Sequence, residues 1–90
     1  MREVQSQSRF KRDYKREKKS DPKLDEKLTP VLKMLATDAV LSPRFSDHPL
    51  SGDWKGFRDC HIKPDLVLIY AKSEGALSLV RLGSHSELFG

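Results

Sequence analysis

The chain has 90 residues and a formal net charge of +4, with 37% hydrophobic and 33% charged residues. Two domains do not fit in this length, so we expect a single domain over residues 1–90, with a modest core. Its one cysteine, Cys60, excludes an intrachain disulfide and a multi-cysteine zinc site. No apolar run approaches the ~20 residues of a membrane helix, and the N-terminus lacks the apolar region of a signal peptide. We therefore expect a cytoplasmic protein.

The first 20 residues predict a short strand and a basic helix. Residues 3–7 alternate weakly between apolar and polar side chains and favour an edge strand. Ser8 is a suitable N-cap for a helix over residues 9–19, in which Phe10 and Tyr14 lie four residues apart on one face.

A second helix follows a break at residues 20–22. Asp21 and Pro22 have the pattern of an N-cap and a first helical residue, and the helix is expected to end near Thr37. Pro30 lies inside this segment and predicts a kink, since an interior proline removes a backbone hydrogen bond. Four leucines repeat at helical spacing on the face predicted to be buried: Leu24, Leu28, Leu32 and Leu35.

The C-terminal half predicts three antiparallel strands. The polar, proline-containing stretch 38–52 favours a surface loop, and the alternation over 54–62 favours a strand. The continuous apolar run 66–70 predicts a central strand covered on both faces, residues 76–82 a third strand, and residues 83–90 a tail. The order of strand, two helices and three-stranded meander indicates an α+β domain with its helices on one face of the sheet.

The positive charge is concentrated at the N-terminal end. Residues 1–24 carry nine basic and four acidic side chains, whereas residues 25–90 have a net charge of −1. Residues 9–19 contain seven basic and two acidic residues. This excess of positive charge is larger than expected for an ordinary solvent-exposed helix and favours attraction to a polyanion.

Three histidines lie in loops or at the ends of predicted elements: His48, His61 and His85. Two imidazoles near one phosphodiester can act as general base and general acid, and an arginine can stabilise the transition state. This set suits cleavage of RNA through its own 2′-hydroxyl. Surface or turn histidines without chemistry explain the pattern equally well. A metal site built on Asp59 and His61 is less supported, because no second ligand pair has the required spacing.

Two strings carry a resemblance to a known family. DHPLSGDWKGFRDCHIKPD, residues 47–65, resembles the signature of YafQ-type toxins of the RelE superfamily, and RLGSHSELF, residues 81–89, resembles their C-terminal signature. The resemblance covers essentially the whole chain and implies the RelE-like α+β fold. It also implies a bacterial type II toxin, an mRNA endoribonuclease that acts largely on ribosome-bound message, needs no cofactor or metal, and is neutralised by a cognate antitoxin.

The resemblance also implies roles for particular residues. Four match the family's proton-transfer positions: His48, His61, Asp65 and His85. Arg81 matches its phosphate-stabilising arginine and Phe89 an aromatic residue that helps to hold the substrate base. Three more are expected to bind substrate: Asp59, Arg58 and Lys55. Leu66 departs from the family, since some relatives carry an aromatic residue there.

Two other functions remain open for this fold. ParE-type toxins share it but poison DNA gyrase, and that activity gives the three histidines no chemical purpose. A non-catalytic RNA-binding module would bind through residues 9–19 without cutting. For the nuclease, the expected partners are the antitoxin, mRNA and the ribosome, with 16S rRNA contacting residues 9–19.

Overall fold

The computed structural model describes residues 1–90, in which two helices pack on a five-stranded mixed sheet. Its elements are β1 (Glu3–Ser6), α1 (Ser8–Ser20), α2 (Leu24–Ala36), β2 (His48–Pro49), β3 (Arg58–Lys63), β4 (Leu66–Ser73), β5 (Ala76–Gly83) and α3 (His85–Phe89). The strand order is β1-β5-β4-β3-β2, with β1 parallel to β5 and the other neighbours antiparallel. None of the helices has the length and apolar character needed to cross a membrane.

The α+β architecture with an N-terminal strand, two helices and an antiparallel meander is confirmed. The sheet has five strands, however, rather than the expected N-terminal edge strand and three-stranded meander. Leu24, Leu28 and Leu35 of α2 are buried against the sheet, as their helical spacing predicts, together with Val31 of the same helix and Phe10 of α1. Leu32, expected in the same buried row, packs against this core but is only partly buried. The α2 helix is continuous through Pro30, which is exposed, so water can reach the carbonyl oxygen that lacks its helical partner.

Both predicted helix starts are shifted. Gln7 donates its N–H to the Leu79 carbonyl at 2.9 Å and keeps an extended conformation, so α1 begins at Ser8 and Gln7 is the N-cap. Asp21 accepts a hydrogen bond from the Lys23 N–H at 3.1 Å and closes a turn, so α2 begins only at Leu24. The backbone hydrogen bond from Gln7 to β5 and the local turn at Asp21 thus take the place of the side-chain caps expected from residue type alone.

The central strand is confirmed as buried on both faces. In β4, Leu66, Leu68 and Tyr70 pack toward the helices, and Val67 and Ile69 pack on the opposite face. β3 starts at Arg58 rather than residue 54, because a 3-10 turn at Gly52–Trp54 interrupts the alternation. Two elements were not predicted: β2, inside the expected loop, and α3, in the expected tail.

Candidate active site

The face of the sheet that the helices leave open carries most of the predicted site residues. A small apolar cluster of Val67, Ile69 and Leu88 covers part of it, with side chains of the loop before β3 packed alongside. Consecutive strands place one row across this face: His48 pairs with Asp59, Asp59 with Ile69, and Ile69 with Arg81. Because directly paired residues share a face, this row brings residues far apart in sequence onto one surface.

At one end of the row, His48 lies against Asp59. The His48 Nδ1 is 2.7 Å from the Ser46 carbonyl oxygen and 3.1 Å from Asp59 Oδ1. Both neighbours are acceptors, so Nδ1 carries the proton in the neutral ring and Nε2 keeps its lone pair. The ring is about half exposed, at 54%. His48 is therefore arranged to accept a proton at Nε2.

Asp59 is buried beneath the histidines, with only 2% of its surface exposed. Burial raises the pKa of its carboxyl group, and the nearby imidazoles of His48, His61 and His85 oppose that rise. Oδ1 has no partner with good hydrogen-bond geometry. The role of Asp59 in binding substrate stays a prediction; in the structure its carboxylate lies 3.1 Å from the His48 imidazole, through which a group this buried is placed to act.

A second cluster joins His61, at the end of β3, to the C-terminal helix. The His61 and His85 ring centroids are 5.0 Å apart, and those of His85 and Phe89 are 6.0 Å apart. Asp65, in the turn after β3, lies with Oδ1 3.5 Å from His85 Nδ1 and 3.4 Å from the His85 backbone nitrogen. The carboxylate is therefore placed to orient the His85 ring.

Helix α3 is what presents His85 and Phe89 on one face, since the two residues are four positions apart. Ser84 and Glu87 form a complete capping box, in which each side chain accepts a hydrogen bond from the backbone N–H of the other residue. Leu88 docks in the apolar cluster, whereas Phe89 is 41% exposed. The exposed ring is available to stack on a base.

At the other end of the row, Arg81 is held by a residue that sequence analysis missed. Its Nε and Nη2 lie 2.7 and 3.3 Å from the two carboxylate oxygens of Asp13, on α1. Asp13 is 3% exposed and also accepts the Leu82 N–H at 3.0 Å. Burial alone would raise the pKa of Asp13, but the hydrogen bonds from Arg81 and Leu82 outweigh it and hold the pKa below its usual value. The only sign of this residue in the sequence is that Asp13 is an acidic residue within the run of basic residues 9–19.

Two of the residues expected to bind substrate lie away from this cluster. Arg58 points to the helix side of the sheet, opposite Tyr70, and its Nε is 3.3 Å from Asp47 Oδ1. In the structure Arg58, together with the Tyr70 hydroxyl, which also donates to Asp47, anchors the segment that carries His48, and its role in binding substrate stays a prediction. Lys55 is exposed in the turn before β3, and its role stays a prediction.

Two further features bear on the chemistry that these residues can perform: the arrangement of possible metal ligands and the basic surface of α1. The histidines and carboxylates meet in pairs, and no three His, Cys, Asp or Glu side chains are arranged to hold one metal ion. On α1, four cations share a shallow surface depression: Arg12, Lys15, Arg16 and Lys19. Imidazoles able to exchange protons, an arginine and a basic helix suit a phosphodiester within a polyanion.

Comparisons with known proteins show which family this chain resembles. A family model for a bacterial toxin of type II toxin–antitoxin systems, YafQ, matches residues 2–90. The mRNA interferase toxin YafQ of Escherichia coli strain K12 is 50% identical over 46 residues, which are 51% of this chain and 50% of that protein. The match thus spans about half the length of that curated relative.

Solved structures match over nearly the full length. The crystal structure of the E. coli DinJ–YafQ complex superposes with a TM-score of 0.88 at 34% identity and covers 100% of both chains. A copper-bound mutant toxin from Helicobacter pylori gives a TM-score of 0.94 at 42% identity, covering 99% of this chain and 100% of that one. A metal-bound toxin from the same organism gives 0.88 at 46% identity, with the same coverage.

Proposed function

The chain belongs to the YafQ family of bacterial toxins of type II toxin–antitoxin systems, and we propose that it is a metal-independent endoribonuclease that cleaves messenger RNA on the ribosome. The observation that carries this proposal is that the sheet face carrying Arg81 also carries His48, 3.1 Å from the buried Asp59, together with the His61–His85 pair, whose ring centroids are 5.0 Å apart. Such a site has the groups that RNA cleavage needs, because the substrate supplies its own nucleophile.

In the first half of the reaction, His48 Nε2 removes the proton of the 2′-hydroxyl. The Ser46 carbonyl and Asp59 hold the proton of this ring on Nδ1, which leaves Nε2 as the acceptor. The 2′-oxygen then attacks the adjacent phosphorus. Arg81 stabilises the negative charge that develops on the non-bridging oxygens.

In the second half, the bond between phosphorus and the 5′-oxygen breaks and His85 protonates the leaving oxygen. Asp65, 3.5 Å from His85 Nδ1, holds the ring in position for this step. The products are a 2′,3′-cyclic phosphate and a free 5′-hydroxyl. His61, 5.0 Å from His85 between ring centroids, borders the path of the proton, and Phe89 stacks on a neighbouring base.

The partners follow from the same proposal. A relative of known structure is complexed with DinJ, and we propose that this toxin is likewise neutralised by a cognate antitoxin. The basic face of α1 would contact 16S rRNA, with Lys55 as a further substrate contact, and the protein would act in the cytoplasm, where message is translated.

Primer extension on message in a translating extract tests the proposal. The wild type is expected to produce discrete cuts, and His85→Ala to cut about 10²- to 10⁴-fold more slowly, as when a general acid is lost. Lys33→Ala, an exposed change on α2 away from the site, is the matched control and should cut like the wild type.

A metal test accompanies this assay, because two similar structures are described as copper-bound and metal-bound. The toxin is stripped with EDTA and returned to chelator-free buffer before it meets the ribosomes, which need Mg²⁺. Cuts that persist after this treatment support metal-independent chemistry, and cuts that vanish and return when copper or zinc is added back contradict it. Cleavage by His85→Ala at the wild-type rate would overturn the role of His85. An absence of cuts by either protein would favour the gyrase poison or the RNA-binding module.

A further inference from the structure

We propose that Asp13, on α1, is a positioning residue for the reaction: it aligns the Arg81 guanidinium so that one edge of it stays free for the scissile phosphate. This inference rests on the proposed nuclease function and adds a residue outside the motifs that indicated that function.

The geometry of the contact carries the proposal. Arg81 donates to Asp13 through Nε at 2.7 Å and Nη2 at 3.3 Å, so the carboxylate occupies one edge of the planar guanidinium. A guanidinium has five N–H groups in a fixed fork, and this contact leaves Nη1 and one hydrogen of Nη2 unused. The free edge is the one able to bind two phosphate oxygens.

Asp13 is itself held firmly. It accepts the Leu82 N–H at 3.0 Å, on the stretch of the β5 edge that β1 does not reach. The Arg16 guanidinium donates to the Leu82 carbonyl at 3.2 Å and lies 3.3 Å from Asp13 Oδ1. A carboxylate that is 3% exposed and bonded to the peptide following Arg81 has little freedom to move. The direction of the arginine is therefore set by the fold before substrate binds.

The same network reaches the helix that carries the proposed general acid. Arg16 Nη2 lies 3.1 Å from Glu87 Oε2, and Glu87 completes the capping box of α3, which begins with His85. Helix α1 thus holds Arg81 through Asp13 and contacts α3 through Arg16. Preorganisation of this kind matters because a displacement of about 1 Å in a reacting group can cost ~10²-fold in rate.

A double-mutant cycle tests the proposal, with single-turnover cleavage rate and RNA affinity measured separately. Asp13→Asn is expected to lower the cleavage rate about 10- to 100-fold without weakening RNA binding, since it misaligns Arg81 and removes a negative charge. In an Arg81→Ala background, the same change should have almost no further effect on the rate. Asp25→Asn is the matched control, because Asp25 bonds Tyr14 and Lys18 and not Arg81.

The possible outcomes separate the two proposals. If the wild type does not cut RNA, the proposed function is overturned. If Arg81→Ala cuts at the wild-type rate, the proposed role of Arg81 is overturned. If Arg81→Ala is slow while Asp13→Asn keeps the wild-type rate, only the positioning role is overturned. Equal losses from Asp13→Asn in both backgrounds would show a purely structural role and also overturn it. Should Asp13→Asn not fold, Asp13→Glu replaces it, since that variant keeps the charge and displaces the carboxylate by one methylene.

Discussion

Asp59 shows how a single residue can place stability and activity in opposition. Its carboxylate is 2% exposed, and its Oδ1 lacks a well-aligned hydrogen bond. A buried and poorly satisfied charge destabilises the folded state. In the proposed reaction, the same charge fixes the tautomer and the orientation of the His48 ring. The cost to folding is thus tied to the chemistry.

Asp59→Asn is therefore expected to stabilise the fold and impair the enzyme. Removing the buried charge should raise the free energy of unfolding by about 1 kcal/mol, which is roughly 4–8 °C in Tm for a domain of this size. Cleavage should fall about 10- to 100-fold, because His48 loses its carboxylate. Thermal unfolding and primer extension measure the two effects, with exposed Asp53→Asn as the control. A lower Tm for Asp59→Asn would contradict this account.

The stabilisation should also depend on pH in a defined direction. Burial raises the pKa of Asp59 in the folded state, so the unfolded chain loses this proton first as the pH rises. The Tm difference between Asp59→Asn and the wild type should thus be small below the ordinary aspartate pKa of about 3.9. It should grow between that pH and the raised pKa, and stay constant above it. A difference that shrinks as the pH rises through this window would assign the effect to another group.

Residue type alone located the histidines and left Asp13 out. His48, His61 and His85 stand out because imidazole is uncommon and chemically distinctive, and the strings around them resemble a family signature. Asp13 has neither property, since its role depends on a contact 68 positions away along the chain. Arg58 shows the effect of strand alternation: because it is adjacent to Asp59 in sequence, its side chain lies on the other face of the strand.

At the scale of elements, the long patterned segments were predicted, whereas β2 and α3 were not. The leucine repeat of α2 and the apolar run of β4 each bury many side chains, and burial leaves a periodic signal. β2 has two residues, one of them Pro49, and exists through its pairing with β3. α3 has five residues and depends on a capping box and the docking of Leu88. Neither is long enough to show a period.

The capping box of α3 leads to a prediction about activity. Ser84→Ala removes the acceptor of the Glu87 N–H, and the loss of such a cap costs about 0.5–2 kcal/mol of helix stability. Because α3 is a short terminal element, the cost should appear as local opening rather than as global unfolding. We expect cleavage to fall several-fold with little change in Tm, since the helix carries both His85 and Phe89.

Ser86→Ala is the matched control for this change, because Ser86 lies in the same short helix and does not cap it. Cleavage rates and amide hydrogen exchange of residues 85–89 provide the readouts. Faster exchange with normal cleavage would mean that α3 need not be ordered before substrate binds. A loss of activity as large in Ser86→Ala as in Ser84→Ala would rule out the cap as the cause.

At the scale of the whole molecule, the two faces of the sheet have different tasks. The helix side holds the 14-residue core, whereas the other side has three buried apolar residues and the proposed site. Most of the apolar burial that stabilises the fold is therefore remote from the histidines. Helix α1 contributes to both the core and the proposed site: Phe10 packs in the core, and Asp13 binds Arg81. Its exposed basic residues face solvent.

The distribution of charge over the molecule should make cleavage depend on salt. Nine basic residues lie among the first 24, while residues 25–90 carry a net charge of −1. In the proposed function, the basic segment would face the polyanionic ribosome. Each phosphate that a cation neutralises releases counterions, so log(kcat/KM) should fall linearly with log[KCl], between about 50 and 200 mM. Lys15→Gln, in the basic depression of α1, removes one such cation and should reduce the steepness of this line by about 0.7–0.9.

Lys33→Gln makes the same change in net charge on α2 and should leave the slope at its wild-type value, because Lys33 lies outside that depression. The measurement is cleavage of message on programmed ribosomes at constant Mg²⁺ and increasing KCl. Equal slopes for the wild type and Lys15→Gln would mean that α1 does not contact RNA. Equal reductions in both variants would show that net charge, rather than a docked helix, attracts the toxin to its substrate.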